Sequence, residues 1–322
     1  MPPRKVTIED ISKKTELSRG TVSRALNDRP DISQATKRRV LAACRELSYV
    51  PSHAARSLAT GRNYAVTVVV DRLDDPLEAD YLRGVLGVAE RHHYGVYVLE
   101  LGPGVDDAAR RLRSLSAERY DAVLICSRTG HGDLLAETLE GIRTATILPT
   151  NGLSGDVIGP DWLEAGRIAG RFLSRHAGGK PTYLHRPSDM ALVAGVRELL
   201  EPAGLNADEV LVVVPEDAPW DQAVASLRLA DCRAIAAATD TLAIAAMAVA
   251  ASIGEKPAVL GCGNAPIGSA LQPALSTIDL DGVEIGRLSM ETILDRIGGA
   301  RMDASQRIAV APRPIWRGTA SI

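Results

Sequence analysis

Aromatic side chains are scarce in this chain, with one Phe, three Trp and seven Tyr among 322 residues. A core so poor in rings must be built from aliphatic side chains, and two tryptophans at one cleft would be harder to read as core filler. Cysteine is nearly as thin. The four present, Cys44, Cys126, Cys232 and Cys262, form no Cys-x-x-Cys pair and have no histidines at matching spacing, so they read as buried free thiols rather than as a zinc site. Adjacent His92 and His93 point about 100° apart on a helix and cannot make an i, i+4 metal pair. No uncharged apolar run reaches the roughly 18 residues that a membrane helix needs, and the opening Met1-Pro2-Pro3-Arg4-Lys5 leads into a polar helical pattern, not a signal core. Gly261-Cys262-Gly263 is followed by Pro266 where a dinucleotide fingerprint needs its third glycine, and no Gly-x-Ser-x-Gly or P-loop pattern occurs. Catalytic residues, cofactors and metals are therefore not expected, and the expected location is the cytoplasm.

What is present is divided unevenly. Residues 1–62 carry 13 Lys/Arg against 6 Asp/Glu, a net +7, whereas the remainder carries 24 against 34, a net −10. A basic head on an acidic body is the electrostatic footprint of a small module that meets a polyanion. Within 6–48 the pattern predicts three short helices, opened by Thr7 with Asp10 at capping-box spacing, by Ser18 and by Ser33. Pro51 ends the third, and residues 52–58 have latent helicity but too little apolar surface to order alone.

From Tyr64 onward β-rich runs at 66–70, 96–101, 122–126, 182–185, 210–214, 234–238 and 258–260 alternate with helical patterns at 78–93, 162–176, 190–203 and 240–253. Such alternation predicts an α/β body of parallel sheets flanked by helices, and its length suits two lobes with crossings near 160 and 280. The expected domains are a helix-turn-helix unit at 1–48, a hinge helix at 49–62 and a core at 63–322. Its first lobe is expected at 63–160 plus 281–305 and its second at 161–280 plus 306–322. Ligands of such folds sit beyond the carboxyl ends of the strands.

On the second helix Arg19, Gly20, Ser23 and Arg24 share one arc and Val22, Ala25 and Leu26 the opposite one. A polar, cationic arc of this kind reads either as a solvated surface or as a reader of guanine edges and phosphates.

The sequence Leu17-Ser18-Arg19-Gly20-Thr21-Val22-Ser23-Arg24-Ala25-Leu26-Asn27, with Val6-Thr7-Ile8 before it and Leu47-Ser48-Tyr49-Val50-Pro51 after it, resembles the lactose- and galactose-repressor (LacI/GalR) family. Ala54-Ala55-Arg56-Ser57-Leu58 is similar to that family's hinge helix, and Asp240, Gly261, Pro273-x-Leu275-Ser276-Thr277-Ile278 and Trp316-Arg317-Gly318 extend the resemblance over nearly the whole chain. It implies a periplasmic-binding-protein-like two-lobed core, double-stranded operator DNA as partner, a homodimer and allosteric control by a small-molecule effector. By the same resemblance Arg19 and Gly20 stand at the positions that read variable bases and Arg24 at a shared one, while Ser18, Thr21, Ser23 and Asn27 hold the backbone; Thr7, Ser33, Thr36 and Ala55 complete the DNA-facing set. Leu58 matches the leucine wedged into the minor groove. Residues 316–322 carry no heptad repeat, so a dimer rather than a tetramer is expected.

In the core the chain departs from its sugar-binding relatives. Leu192 stands where they carry Arg, Thr239 where they carry Asn, Gly263 where they carry Asp, and Leu77-Glu78 where they carry an aromatic pair. The candidate effector residues that remain are Asp75, Asp161, Trp162, Arg186, Asp189, Trp220, Asp240 and Asn264, of which Asp161 and Asp240 read equally well as helix N-caps. The expected effector is not a simple sugar. Two alternatives stand beside this reading: a regulator whose core answers to a protein partner or to nothing, and, more remotely, a soluble α/β ligand-binding protein or hydrolase.

Overall fold

The computed structural model describes residues 6–26, 31–49, 61–102, 104–115, 120–128, 131–147, 153, 155–215, 231–300 and 303–320. The chain divides into two compact units, Met1–Tyr64 and Ala65–Ile322. Asn27, Ala55, Leu58 and Trp220, and the hinge at 51–60, lie outside the described residues.

Among the described residues the first unit holds three helices, α1 (Ile8–Thr15), α2 (Arg19–Leu26) and α3 (Gln34–Glu46). Their starts follow the hydroxyl caps. The Asp10 carboxylate accepts from the Thr7 N–H at 2.8 Å, and Ser18 Oγ and Ser33 Oγ accept from the Thr21 and Thr36 N–H groups, each at 3.1 Å. Ile11, Val22, Ala25, Val40, Ala43 and Cys44 make the small aliphatic core, with Leu17, Leu47 and Tyr49 at its edge.

The second unit contains two six-stranded sheets. The first sheet is built from β1 (Ala65–Val70), β2 (Gly95–Glu100), β3 (Ala122–Ile125), β4 (Thr144–Thr146), β5 (Asp156–Pro160) and β11 (Arg307–Val310) in the order β11-β5-β4-β3-β1-β2. The second uses β6 (Pro181–His185), β7 (Leu211–Val213), β8 (Ala234–Ala237), β9 (Ala258–Cys262), β10 (Ser276–Asp279) and β12 (Arg313–Ile315) in the order β12-β10-β9-β8-β6-β7. Every pairing is parallel except β10 with β12. Each sheet thus repeats one doubly wound order, whose switch point lies between its first and third strands.

Each lobe buries a tightly packed helix pair: α4 (Pro76–Arg91) with α12 (Gly282–Gly298), and α7 (Trp162–Ser174) with α8 (Met190–Leu200). Close approach depends on glycine in both. A Cβ on Gly84 would run into the backbone of Val283 and Gly286, and one on Gly195 into that of Leu163 and Gly166. Shorter helices, α5 (Val105–Leu112), α6 (Gly132–Thr138), α9 (Ala207–Val210) and α11 (Pro266–Ala270), together with α10 (Asp240–Ser252), complete the layers. All four cysteines are buried and free, and among the described residues no helix is long and apolar enough to cross a membrane.

The chain leaves the first sheet after Pro160 and returns to that lobe after Asp279. The last crossing differs from expectation: residues 307–310 pair with β5 in the first sheet, so the second lobe regains the chain only at β12, not at residue 306. The cause is the Asp156 carboxylate, 2% exposed, which accepts from Arg296 Nη2 at 2.7 Å, from Arg296 Nε at 3.0 Å and from the Gln306 N–H at 2.9 Å, holding the chain beside β5.

Candidate functional site

Two places in the molecule concentrate polar chemistry, one in each unit. On α2 the apolar positions Val22 and Ala25 are buried, while Arg19, Gly20 and Arg24 are exposed and Ser18 is exposed at the helix start. The 3.6-residue period alone separates the two faces. Ser18 Oγ lies 2.9 Å from Thr21 Oγ1, so the hydroxyls that cap the helix also sit at its positive end, where phosphates are favoured. Thr7 and Ser33 open α1 and α3 as exposed residues, Thr36 and Ser23 are half-buried, and Arg24 Nη1 lies 3.2 Å from Asp31 Oδ2. Gly20 has ordinary helical geometry, and an added Cβ would meet only Ser18 Oγ at 3.7 Å. Nothing in the fold requires glycine there.

The second place is the cleft where the switch points of the two sheets face each other. The loop after β1 supplies Asp71 and Asp75, the loop after β3 supplies Ser127 and Arg128, the loop after β6 supplies Arg186 and Asp189, and the loop after β8 supplies Thr239 and Asp240. Asp71, 7% exposed, fixes the β3 loop by accepting from Ser127 Oγ at 2.5 Å and from the Arg128 N–H at 2.7 Å. From that anchored backbone the Arg128 side chain crosses between the lobes. Its Nη2 donates to Asp75 Oδ2 and its Nη1 to Asp189 Oδ1, both at 3.2 Å, and its Cζ lies 5.4 Å from the Trp162 ring centroid. Each carboxylate gives its other oxygen to backbone. Asp75 Oδ1 caps α4 by accepting from the Leu77 N–H at 2.9 Å, and Asp189 Oδ2 accepts from the Arg186 N–H at 2.8 Å. Burial works against the Arg128 charge, but Asp189 and Asp75 outweigh it and hold the guanidinium protonated beyond its ordinary range.

Two more carboxylates back this arrangement. Glu78 is 2% exposed and accepts from the Arg72 N–H at 3.0 Å; burial, with Asp71 and Asp75 nearby, pushes its acid well above the usual range. Asp240 is also raised by burial, an effect only partly offset by the Thr277 hydroxyl at 2.6 Å on one oxygen and the Ala265 N–H at 2.5 Å on the other. With Arg128 in place, the space among Asp75, Leu77, Arg128, Thr239, Asp240 and Gly263 has a volume of about 10 Å³, at the lower limit for one water.

The structure therefore brings together Asp75, Trp162, Arg186, Asp189 and Asp240 of the residues expected at the cleft. Asp161 caps α7 by accepting from the Glu164 N–H at 2.9 Å. For Asp240 the N-cap reading is corrected: α10 is capped by Thr239, whose Oγ1 accepts from the Leu242 N–H at 3.2 Å, and Asp240 is the first helical residue. Asn264 accepts from Arg317 Nη2 at 2.6 Å and lines a neighbouring groove with Asp80, Asp279 and Asp281. Arg128, Asp71 and Glu78 were not expected at the cleft. An excess of unpaired carboxylates among the cleft candidates was the available signal that a cation belonged there.

Comparison with known proteins bears on each unit. Residues 7–52 match the model of bacterial regulatory proteins of the lacI family, and residues 160–320 match that of the periplasmic binding protein-like domain. The chain is 29% identical over 320 residues to the HTH-type transcriptional regulator CelR of Thermobifida fusca, covering 92% of this chain and 93% of the relative. It is 27% identical over 329 residues to the HTH-type transcriptional repressor PurR of Proteus mirabilis, covering 97% and 96%. Among solved structures, the Lac repressor bound to ONPG in the repressed state matches with a TM-score of 0.79 at 19% identity, over 98% of this chain and 100% of that one. The CelR–cellobiose complex matches at 0.68 and 23%, with the same coverage. A lacI-type head joined to a core of this architecture makes the protein a member of the lacI family of bacterial regulatory proteins, a DNA-binding transcriptional regulator.

Proposed function

We propose that the protein is a repressor that binds a near-palindromic operator as a homodimer, and that filling the interlobe cleft with a small-molecule effector changes its affinity for DNA. The observation that carries this reading is α2, whose exposed Arg19, Gly20 and Arg24 lie opposite the buried Val22 and Ala25. Arg19 and Arg24 are the base readers, Arg24 exchanging Asp31 for DNA; Ser18, Thr21, Ser23, Thr7, Ser33 and Thr36 hold phosphates, and one reader helix per protomer sets half-sites about one helical turn apart. Hinge residues Ala55 and Leu58 contact the operator, with Leu58 the wedge that opens its minor groove. A cytoplasmic location accompanies this role.

The effector is proposed to be other than an unmodified sugar. Leu192 is 2% exposed and packs in α8, the Thr239 hydroxyl is spent on capping α10, and Gly263 offers no side chain, so the groups that would pair with buried sugar hydroxyls are gone. One of the similar solved structures is a complex of a transcriptional regulator CelR with cellobiose; this cleft offers a tryptophan face and carboxylates instead. The residual volume of about 10 Å³ favours a second reading, a core that answers to a protein partner or to none.

Selection from a random duplex library by the full chain tests the primary reading. A recovered consensus with two-fold symmetry supports it, and recovery of unrelated sequences in proportion to their input rejects it.

A further inference from the structure

We propose that the cleft takes an organic cation, a guanidinium or ammonium on a flat or apolar body, at the position the protein's own Arg128 guanidinium occupies, so that Arg128 is a tethered stand-in for the effector. The inference rests on the reading of the cleft as the effector site, and names the chemistry of that site.

Three observations lead to it. First, Arg128 fills the place. Its side chain is 12% exposed, it bridges Asp75 of one lobe and Asp189 of the other, it lies over Trp162, and the space left beside it holds at most one water.

Second, the surroundings select by charge. Asp71, Asp75, Asp189 and Asp240 approach the same space, with the half-buried Arg128 and the buried Arg186 as the cations beside them. An anion would displace Arg128 into solvent and then meet carboxylates stripped of their partner, or stay beside an arginine already paired twice. A neutral polyol would leave the vacated oxygens of Asp75 and Asp189 without charge compensation in a site with little access to water. A guanidinium or ammonium restores both pairs.

Third, Trp162 is 7% exposed, and its indole Nε1 has no hydrogen-bond partner among the described residues. The ring therefore combines a π-face that favours a cation with a buried donor that the cluster does not use. A ligand with an acceptor on its body satisfies that donor, which Arg128 cannot, because a guanidinium accepts nothing. This gives a cationic effector an advantage over the tethered side chain beyond mere replacement.

Chemical rescue tests the inference. The full-length Arg128→Ala variant is titrated with N-ethylguanidinium chloride in the low millimolar range, against N-ethylurea and against sodium chloride at equal ionic strength, with melting temperature and calorimetric heat as readouts. Arg128→Met, which keeps an apolar stem on Trp162 without the charge, is run in parallel in case the alanine variant does not fold. The expected result is saturable binding of N-ethylguanidinium to Arg128→Ala, or of guanidinium itself to Arg128→Met, whose stem takes the place of the ethyl group, with a rise in melting temperature of several degrees, no comparable effect of the matching urea, and loss of the effect when Asp189→Asn is added. A folded variant that binds neither compound, or binds both equally, overturns the inference. The readouts need no DNA, so the regulator reading stands or falls separately: a parent that selects no operator rejects that reading while rescue of Arg128→Ala still supports the cationic site.

Discussion

Arg128 Nη1 of the first lobe and Asp189 Oδ1 of the second lie 3.2 Å apart across the cleft, and the carboxylate is 2% exposed. A buried pair that spans two lobes does more than a surface bridge, because the two charges interact with little screening by water and tie the lobes together. Replacing one partner leaves the other buried and uncompensated, which costs about 3–5 kcal/mol; Asp75 still holds Arg128, so Asp189→Ala is expected near the lower end. Urea denaturation measures the loss. The double variant Arg128→Met/Asp189→Leu is expected to recover part of it, and simple additivity of the two single changes would show that the pair is not coupled.

Glu78 gives a pH signature. Burial, then repulsion from Asp71 and Asp75, raises its folded acid above the ordinary carboxylate range. The folded state therefore keeps this proton at pH values where the unfolded chain has lost it, and stability falls as pH rises from the unfolded carboxylate range through the folded value. Glu78→Gln keeps an acceptor for the Arg72 N–H and removes the titration. Its melting temperature is expected to exceed the parent's by a few degrees near pH 8, with the gap closing towards pH 5; a gap independent of pH would remove Glu78 as the cause.

Gly20 costs helix stability without a steric return. An alanine Cβ fits, meeting only Ser18 Oγ at 3.7 Å, and Gly→Ala is worth about 1 kcal/mol in a helix interior and less in the first turn, where Gly20 lies. Gly20→Ala should slow hydrogen exchange of the α2 amides by about twofold to fivefold where they exchange by local opening. Unchanged exchange would mean that α2 opens only with its whole unit.

Much of this architecture was legible in the sequence, and the parts that were not have physical reasons. The runs at 66–70, 122–126 and 234–238 are continuous β-rich or small apolar stretches buried on both faces, and they appear as β1, β3 and β8. By contrast β4 has three residues, Thr144–Thr146, β5 opens on an acid and closes on a proline, and β11 and β12 are short and partly exposed with arginines at their starts. None has a periodicity long enough to read. The caps Thr7, Ser18 and Ser33 were legible because capping is local, a matter of three residues. Arg128 was not. A single arginine beside Thr129 and Gly130 reads as a solvated loop, and its role comes from carboxylates at 75 and 189 that only the folded lobes bring to it.

Arg19 carries the central claim, that α2 reads operator sequence. Base preferences of the parent and of Arg19→Ala are measured by fluorescence anisotropy on the selected operator and its single-base variants at one fixed salt concentration. The parent should prefer its operator over scrambled DNA, and Arg19→Ala should lose discrimination at one symmetric pair of positions, by about 1–3 kcal/mol per contact, while binding to scrambled DNA changes little. Equal affinity of the parent for operator and scrambled duplex, or an Arg19→Ala variant that weakens both alike, would contradict the account.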